Sequence, residues 1–133
     1  GQLIEKADST IDAVAGPSIG ADPLVAGVIM GPFGPSRGFL VRAAAKDHGT
    51  CRRVEGGDPT GLKVAVVEDV TTTGSSLIDA VRAVEGAGGT VVLTATILDR
   101  LQGAGDALAN LPRPDGGVGY PFVSLITTED LGL

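Results

Sequence analysis

The order of apolar and polar positions divides the chain into short strands and helices joined by breaker-rich links. Two stretches are apolar on both faces, Lys63-Val64-Ala65-Val66-Val67 and Thr90 to Leu98. Strands covered on both sides in a parallel sheet read this way, without the alternation of a half-solvated sheet. Between them, Ser75 to Ala87 places Leu77, Ile78, Val81, Val84 and Ala87 near one face at helical spacing. Ser75 is expected to cap this helix and Gly88-Gly89 to stop it. Ile11 to Ala15 predicts a strand that ends at the turn Gly16-Pro17. Asp22 as N-cap and Pro23 at the first helical position open a helix that continues to Met30. After the breakers of Gly31 to Gly38 comes a short strand, Phe39-Leu40-Val41. Ala43 to Gly61 has many charges and no apolar period, and is expected to be a long exposed loop with room for a short hairpin. Gln2 to Ala7 reads as the tail of a helix, Gly105 to Leu111 as a weaker helix, and Tyr120 to Ile126 as a last strand.

Strand, helix and strand at this spacing predict βαβ units. The fold class is therefore α/β, an open parallel sheet with helices on both faces. The 133 residues suit a single domain spanning 1–133, and no internal repeat is visible. Apolar residues make up 43%, with no Trp, one Tyr and three Phe, so the core must be aliphatic.

Charge narrows the function. A net charge of −6 argues against nucleic acid, whose binding rests on neutralising phosphates with Lys and Arg. Yet Arg37, Arg42, Lys46, His48, Arg52 and Arg53 fall in one short stretch, which suits a small phosphorylated ligand. Cys51 is the one cysteine, so no internal disulfide can form and a reducing compartment is expected. It reads as a bystander thiol, since no second His or other base stands nearby to activate it. No apolar run is long enough to cross a membrane and no signal-peptide pattern is present, so a cytoplasmic location and no membrane partner are expected.

The informative segment is Val64-Ala65-Val66-Val67-Glu68-Asp69-Val70-Thr71-Thr72-Thr73-Gly74-Ser75-Ser76. A buried strand delivers two adjacent carboxylates at its carboxyl end, where open α/β sheets bind ligands. Hydroxyls, free backbone N–H groups and a helix N-terminus follow, and together they make a phosphate cradle. The carboxylates would be repelled by the phosphate but can accept hydrogen bonds from vicinal hydroxyls. A sugar phosphate satisfies both halves. A plain strand-to-helix turn needs one Ser or Thr, not two acids and five hydroxyls. A receiver-like domain would put its acidic pair near the N-terminus. Gly-Lys-Ser/Thr and G-x-G-x-x-G phosphate loops are absent.

The run Val-Val-Glu-Asp-Val-Thr-Thr-Thr-Gly-Ser-Ser resembles the signature with which type I phosphoribosyltransferases bind 5-phosphoribosyl-1-pyrophosphate (PRPP). Three further stretches resemble the orotate phosphoribosyltransferases in particular. Phe39 to Gly49 is similar to their mobile catalytic loop, and Arg53-Val54-Glu55-Gly56 to its end. Asp99-Arg100 is similar to the site of an arginine that contacts the orotate carboxylate. The resemblance covers the chain from about Ile11 onwards and implies the Rossmann-like core of that family.

It also implies roles. Asp69, Lys46 and His48 would be catalytic. PRPP would be held by Arg42, Lys46, His48, Glu68, Asp69, Val70, Thr71, Thr72, Thr73, Gly74, Ser75 and Ser76. Glu68 and Asp69 would take the ribose hydroxyls, Thr71 through Ser75 the 5-phosphate, and Gly16 to Ala21 the pyrophosphate. Thr72 and Arg100 would bind orotate. The reaction would convert orotate and PRPP to orotidine 5-monophosphate and pyrophosphate, with Mg2+ carried by PRPP and no direct metal ligand from the protein. A homodimer is implied, its mobile loop of about 42–60 reaching the neighbouring site. Arg52 and Arg53 read as a solvated charge pair.

The resemblance is incomplete in two places. Arg42 is followed by Ala43 where the family has a lysine, and nothing matches the family's N-terminal hood over the base pocket. The chain is therefore expected to begin inside the first core helix, with the pocket open on one side unless a partner covers it. Two other readings remain open. One is a non-catalytic PRPP or nucleotide sensor, and the other is a phosphoribosyltransferase for another nucleobase. Arg100 discriminates against the second, because a carboxylate-bearing base needs a cation.

Overall fold

The two doubly apolar stretches lie side by side within a six-stranded sheet, as their burial on both faces requires. The computed structural model describes residues 1–43 and 52–133. In chain order its elements are α1 (Gln2–Ala7), β1 (Ala13–Pro17), α2 (Asp22–Met30), β2 (Gly38–Val41) and β3 (Val54–Glu55). Then come β4 (Lys63–Thr71), α3 (Ser75–Gly86), β5 (Thr90–Asp99), α4 (Ala104–Ala109) and β6 (Phe122–Thr127). The strand order is β3-β2-β1-β4-β5-β6. All pairings are parallel except β2 with β3, where Leu40 faces Glu55 and Val41 faces Val54. The short hairpin strand thus makes the sheet mixed at one edge.

Side chains alternate between two aliphatic layers. Ala13, Ala15, Val64 and Val66 point to one face, where Leu77, Ala80, Val81 and Val84 of α3 and Leu108 of α4 cover them. Val14, Ala65 and Val67 point to the other, against Ile4 of α1 and Val25 and Val28 of α2. The strand-pair register slips between β4 and β5: Val64 pairs with Val91, but Ala65 pairs with Leu93. Val92 is the extra residue of a bulge. It explains why Val91 belongs to the first layer and Leu93 to the second, although residues two apart normally share a face.

Three local expectations need correction. β1 does not stop at Ala15, because Gly16 and Pro17 stay in register with Leu40 and Val41. Gly16 serves close packing: a Cβ there would lie 2.7 Å from the Cβ of Ala21 and 2.8 Å from the Val67 carbonyl oxygen. Asp22 is not the N-cap of α2 but its first residue, and its carboxylate accepts the Ser18 hydroxyl at 2.6 Å. Ser75 does not cap α3 either. Gly74 holds that position in a left-handed conformation (φ 88°), which leaves Ser75 as the first helical residue. The stop at Gly88-Gly89 is as expected: their N–H groups reach the carbonyls of Glu85 and Val84, closing the last turn.

Leu77 carries the contact of α3 with the sheet and is fully buried. Leu77→Ala is expected to cost about 3 kcal/mol, from lost burial and the cavity left behind. Urea unfolding should show this as a lower midpoint with an unchanged slope.

Candidate active site

The chain steps from β1 to β2 in one direction across the sheet and from β4 to β5 in the other. Connections that leave in opposite directions open a crevice between the carboxyl ends of the two strands where the order reverses. Here those strands are β1 and β4, paired from Ala13 with Val64 to Ala15 with Val66. The turn 18–21 rises from one and the loop 72–74 from the other. The Ser18–Ile19 peptide of that turn is cis.

β4 runs to Thr71, four residues beyond the apolar stretch, so Glu68 and Asp69 are strand residues rather than loop residues. Adjacent strand residues face opposite ways. Glu68 is half-buried on the side of α3. Burial pushes its carboxyl above the usual range; the Ser76 hydroxyl opposes this and the Asp69 carboxylate adds to it. Asp69 is exposed and turns toward the 18–21 turn, where a Cβ on Gly20 would sit 3.4 and 3.5 Å from its two carboxylate oxygens. One of those oxygens accepts the Val70 N–H at 2.8 Å.

Past the acids the chain becomes a donor-rich loop. The N–H groups from Thr72 through Leu77 have no backbone acceptor among the described residues. They form the positive end of α3, with the exposed Thr73, Ser75 and Ser76 hydroxyls around them. Gly74 lets the loop lie flat on α4, since a Cβ there would be 3.2 Å from Ala104. Thr71 differs from its neighbours. It is buried, and its hydroxyl has no hydrogen-bond partner among the described residues, so it lies under the loop. Val70 is half-exposed at the rim.

The match to the phosphoribosyl transferase domain family spans residues 1–111. The orotate phosphoribosyltransferase of Corynebacterium glutamicum is 44% identical over 135 residues, covering 100% of this chain and 70% of that protein. The chain belongs to the orotate phosphoribosyltransferase family. Solved members of the family share the architecture. The Mycobacterium tuberculosis enzyme in complex with inorganic phosphate superposes with a TM-score of 0.80 at 37% identity, covering 99% of this chain and 70% of that one. Its complex with PRPP gives 0.79 at 37% identity, covering 98% and 72%.

The fold brings together Glu68, Asp69, Thr72, Thr73, Gly74, Ser75, Ser76 and Arg100. Arg100 follows β5 and is tied to the end of β4 by its N–H, which donates to the Thr71 carbonyl at 2.9 Å. Arg42 stands apart, two strands away on the same rim, in an ion pair with Glu55 at 3.3 Å. Lys46 and His48 lie outside the described residues. Arg53 is not a solvated charge. It is partly buried, forms an ion pair with Asp79 of α3, and donates to the Arg42 carbonyl at 3.2 Å, bracing the root of the loop. The sequence reading missed Thr96, whose buried hydroxyl donates to the Asp69 carbonyl at 3.2 Å. Thr94 and Thr96 are hydroxyls set among the apolar residues Val91 to Leu98, and that was the available signal.

The raised carboxyl of Glu68 sets a sign. A folded-state pKa above the ordinary value gives stability that is present below about pH 4 and is lost as pH rises through the folded value. Glu68→Gln is therefore expected to raise Tm at pH 7 and to leave it nearly unchanged near pH 3.5. Thermal melts followed by circular dichroism at the two pH values check this.

Proposed function

We infer that this chain carries out the reaction of its family, joining orotate to the ribose 5-phosphate of PRPP to give orotidine 5-monophosphate and pyrophosphate, a step of pyrimidine biosynthesis. One observation carries the reading. An acidic pair near the carboxyl end of β4, at the reversal point of the sheet, is followed after Val70 and Thr71 by N–H groups at the start of α3 that have no backbone acceptor among the described residues. That array presents carboxylates to a ribose edge and donors to a phosphate.

In this reading the 5-phosphate lies on the N–H groups of Thr72 to Ser76, with the Thr73 and Ser75 hydroxyls as further donors. Glu68 and Asp69 approach the ribose hydroxyls from the two sides of the strand. The bond from the anomeric carbon to pyrophosphate breaks as the bond to N1 of orotate forms, and positive charge grows on the ribose. The exposed Asp69 carboxylate faces that charge. No protein nucleophile is needed. Arg100 pairs with the orotate carboxylate, and Thr72 borders the ring. The turn 18–21 receives pyrophosphate on its backbone. Lys46, His48 and Arg42 neutralise the charge that pyrophosphate acquires on leaving.

Among the described residues no three metal-ligating side chains converge. The donors present suit an Mg2+ ion that arrives on PRPP and offsets its charge there. A homodimer in which the 42–60 loop reaches the neighbouring site completes the arrangement. No described helix is long and apolar enough to cross a membrane, and the single cysteine suits a reducing cytoplasm.

Loss of orotate absorbance with PRPP and Mg2+ measures turnover. Asp69→Ala is expected to lower kcat/KM by roughly 100-fold, the scale of one removed electrostatic stabiliser. Lys46→Ala should lower kcat by a similar factor. Undiminished turnover in Asp69→Ala would remove the acidic pair from the reaction. Failure of the wild-type chain to bind PRPP would remove the loop as well.

A further inference from the structure

We propose that Asp99 is a positioning residue for the base subsite: its buried carboxylate holds Leu101 in a left-handed turn and so fixes how Arg100 leaves the sheet. The proposal rests on the reading of Arg100 as the partner of the orotate carboxylate.

Asp99 ends β5 opposite Thr71 and is 8% exposed. A carboxylate at that depth needs partners. No cation pairs with it among the described residues, and the bond it makes is to the Leu101 N–H at 2.9 Å. That two-residue closure is a turn built by the side chain in place of the backbone. Leu101 has φ 58°, and it is the one non-glycine residue with positive φ among those described. Glycine takes such positions readily and leucine does not. Leu101 is also half-exposed, so burial of its side chain does not explain the conformation.

What the turn serves is the residue before it. The Arg100 N–H donates to the Thr71 carbonyl at 2.9 Å, and its carbonyl accepts the Thr128 hydroxyl at 3.3 Å. The Thr128 N–H in turn donates to the Asp99 carbonyl at 3.0 Å. Arg100 is thus fastened to the end of β4 on one side and to the segment after β6 on the other. Thr71 leads directly into the phosphate loop, so the same fastening sets the spacing between phosphate donors and guanidinium. The Asp99 carboxylate closes the remaining freedom by bending the chain immediately after Arg100. The whole device positions a charge that reads the base, without touching the phosphoribosyl group.

Calorimetric titration of the whole chain with orotidine 5-monophosphate and, separately, with ribose 5-phosphate tests this. Asp99→Ala should weaken orotidine 5-monophosphate roughly tenfold and leave ribose 5-phosphate within about twofold. Asp99→Asn keeps an acceptor oxygen and should retain most of the affinity. Adding Leu101→Gly to Asp99→Ala should recover much of the loss, since glycine adopts the turn without the carboxylate. Asp99→Leu fills the same space without an acceptor and replaces Asp99→Ala if that variant does not fold. Equal losses for both ligands, an unchanged orotidine 5-monophosphate affinity, or no recovery with Leu101→Gly would each overturn the proposal. Arg100→Ala separates the layers. If it weakens orotidine 5-monophosphate while Asp99→Ala does not, only the positioning role fails. If it has no effect, the reading of Arg100 fails too, and a wild-type chain that binds neither ligand rejects the phosphate loop itself.

Discussion

Two adjacent carboxylates stand near the carboxyl end of β4 beside the donor-rich start of α3, and the fold must hold them there. Carboxylates gathered there repel one another. The fold answers by geometry. Consecutive residues of β4 face opposite ways, so Glu68 sits in the shelter of α3 while Asp69 stands in the open crevice. The sheltered acid carries the desolvation cost and the exposed one remains open to solvent. The start of α3 then supplies positive potential within a few residues of both. The ribose-binding role proposed for Glu68 would therefore work against the stability of the fold.

The support for this site is spread over the sheet. Packing of β1 against β4 leaves no space for a side chain at position 16, which brings the 18–21 turn close to Asp69. The Thr96 hydroxyl binds the Asp69 carbonyl from β5, and the Thr71 carbonyl binds Arg100. The loop 72–74, the acidic pair and Arg100 are therefore linked through backbone groups of β4 and β5. Aliphatic packing on both faces of these strands keeps that frame stiff.

Much of this was legible in the chain itself. Strands buried on both faces announce themselves by unbroken apolar runs, and α3 by its period, so the class of fold and the order of elements followed. The run of acids and hydroxyls from Glu68 to Ser76 stood out in the chain, and the fold sets it at the reversal point of the sheet. Other features were not legible, for physical reasons. Gly16-Pro17 has the composition of a turn, yet serves close strand packing. Ser75 and Asp22 have capping side chains, but the cap position of α3 belongs to a left-handed glycine, and Asp22 serves the hydroxyl of Ser18. Arg53 looked like a solvated charge because its partner, Asp79, lies 26 residues away on α3. The β5 bulge left no trace, since Val91, Val92 and Leu93 are all apolar. Such features arise from contacts between distant segments, which local pattern does not encode.

The placement of the acids within a strand, and not in a loop, has a consequence for how this segment can change. A loop absorbs an inserted or deleted residue by adjusting its path. A strand has a period of two, so adding or removing one residue before Glu68 would exchange the two faces. Either the sheltered and open carboxylates would trade places, or every apolar residue upstream would turn away from its layer. β4 can therefore accept changes of residue type but not of length, and the distance from Lys63 to Gly74 behaves as a fixed ruler.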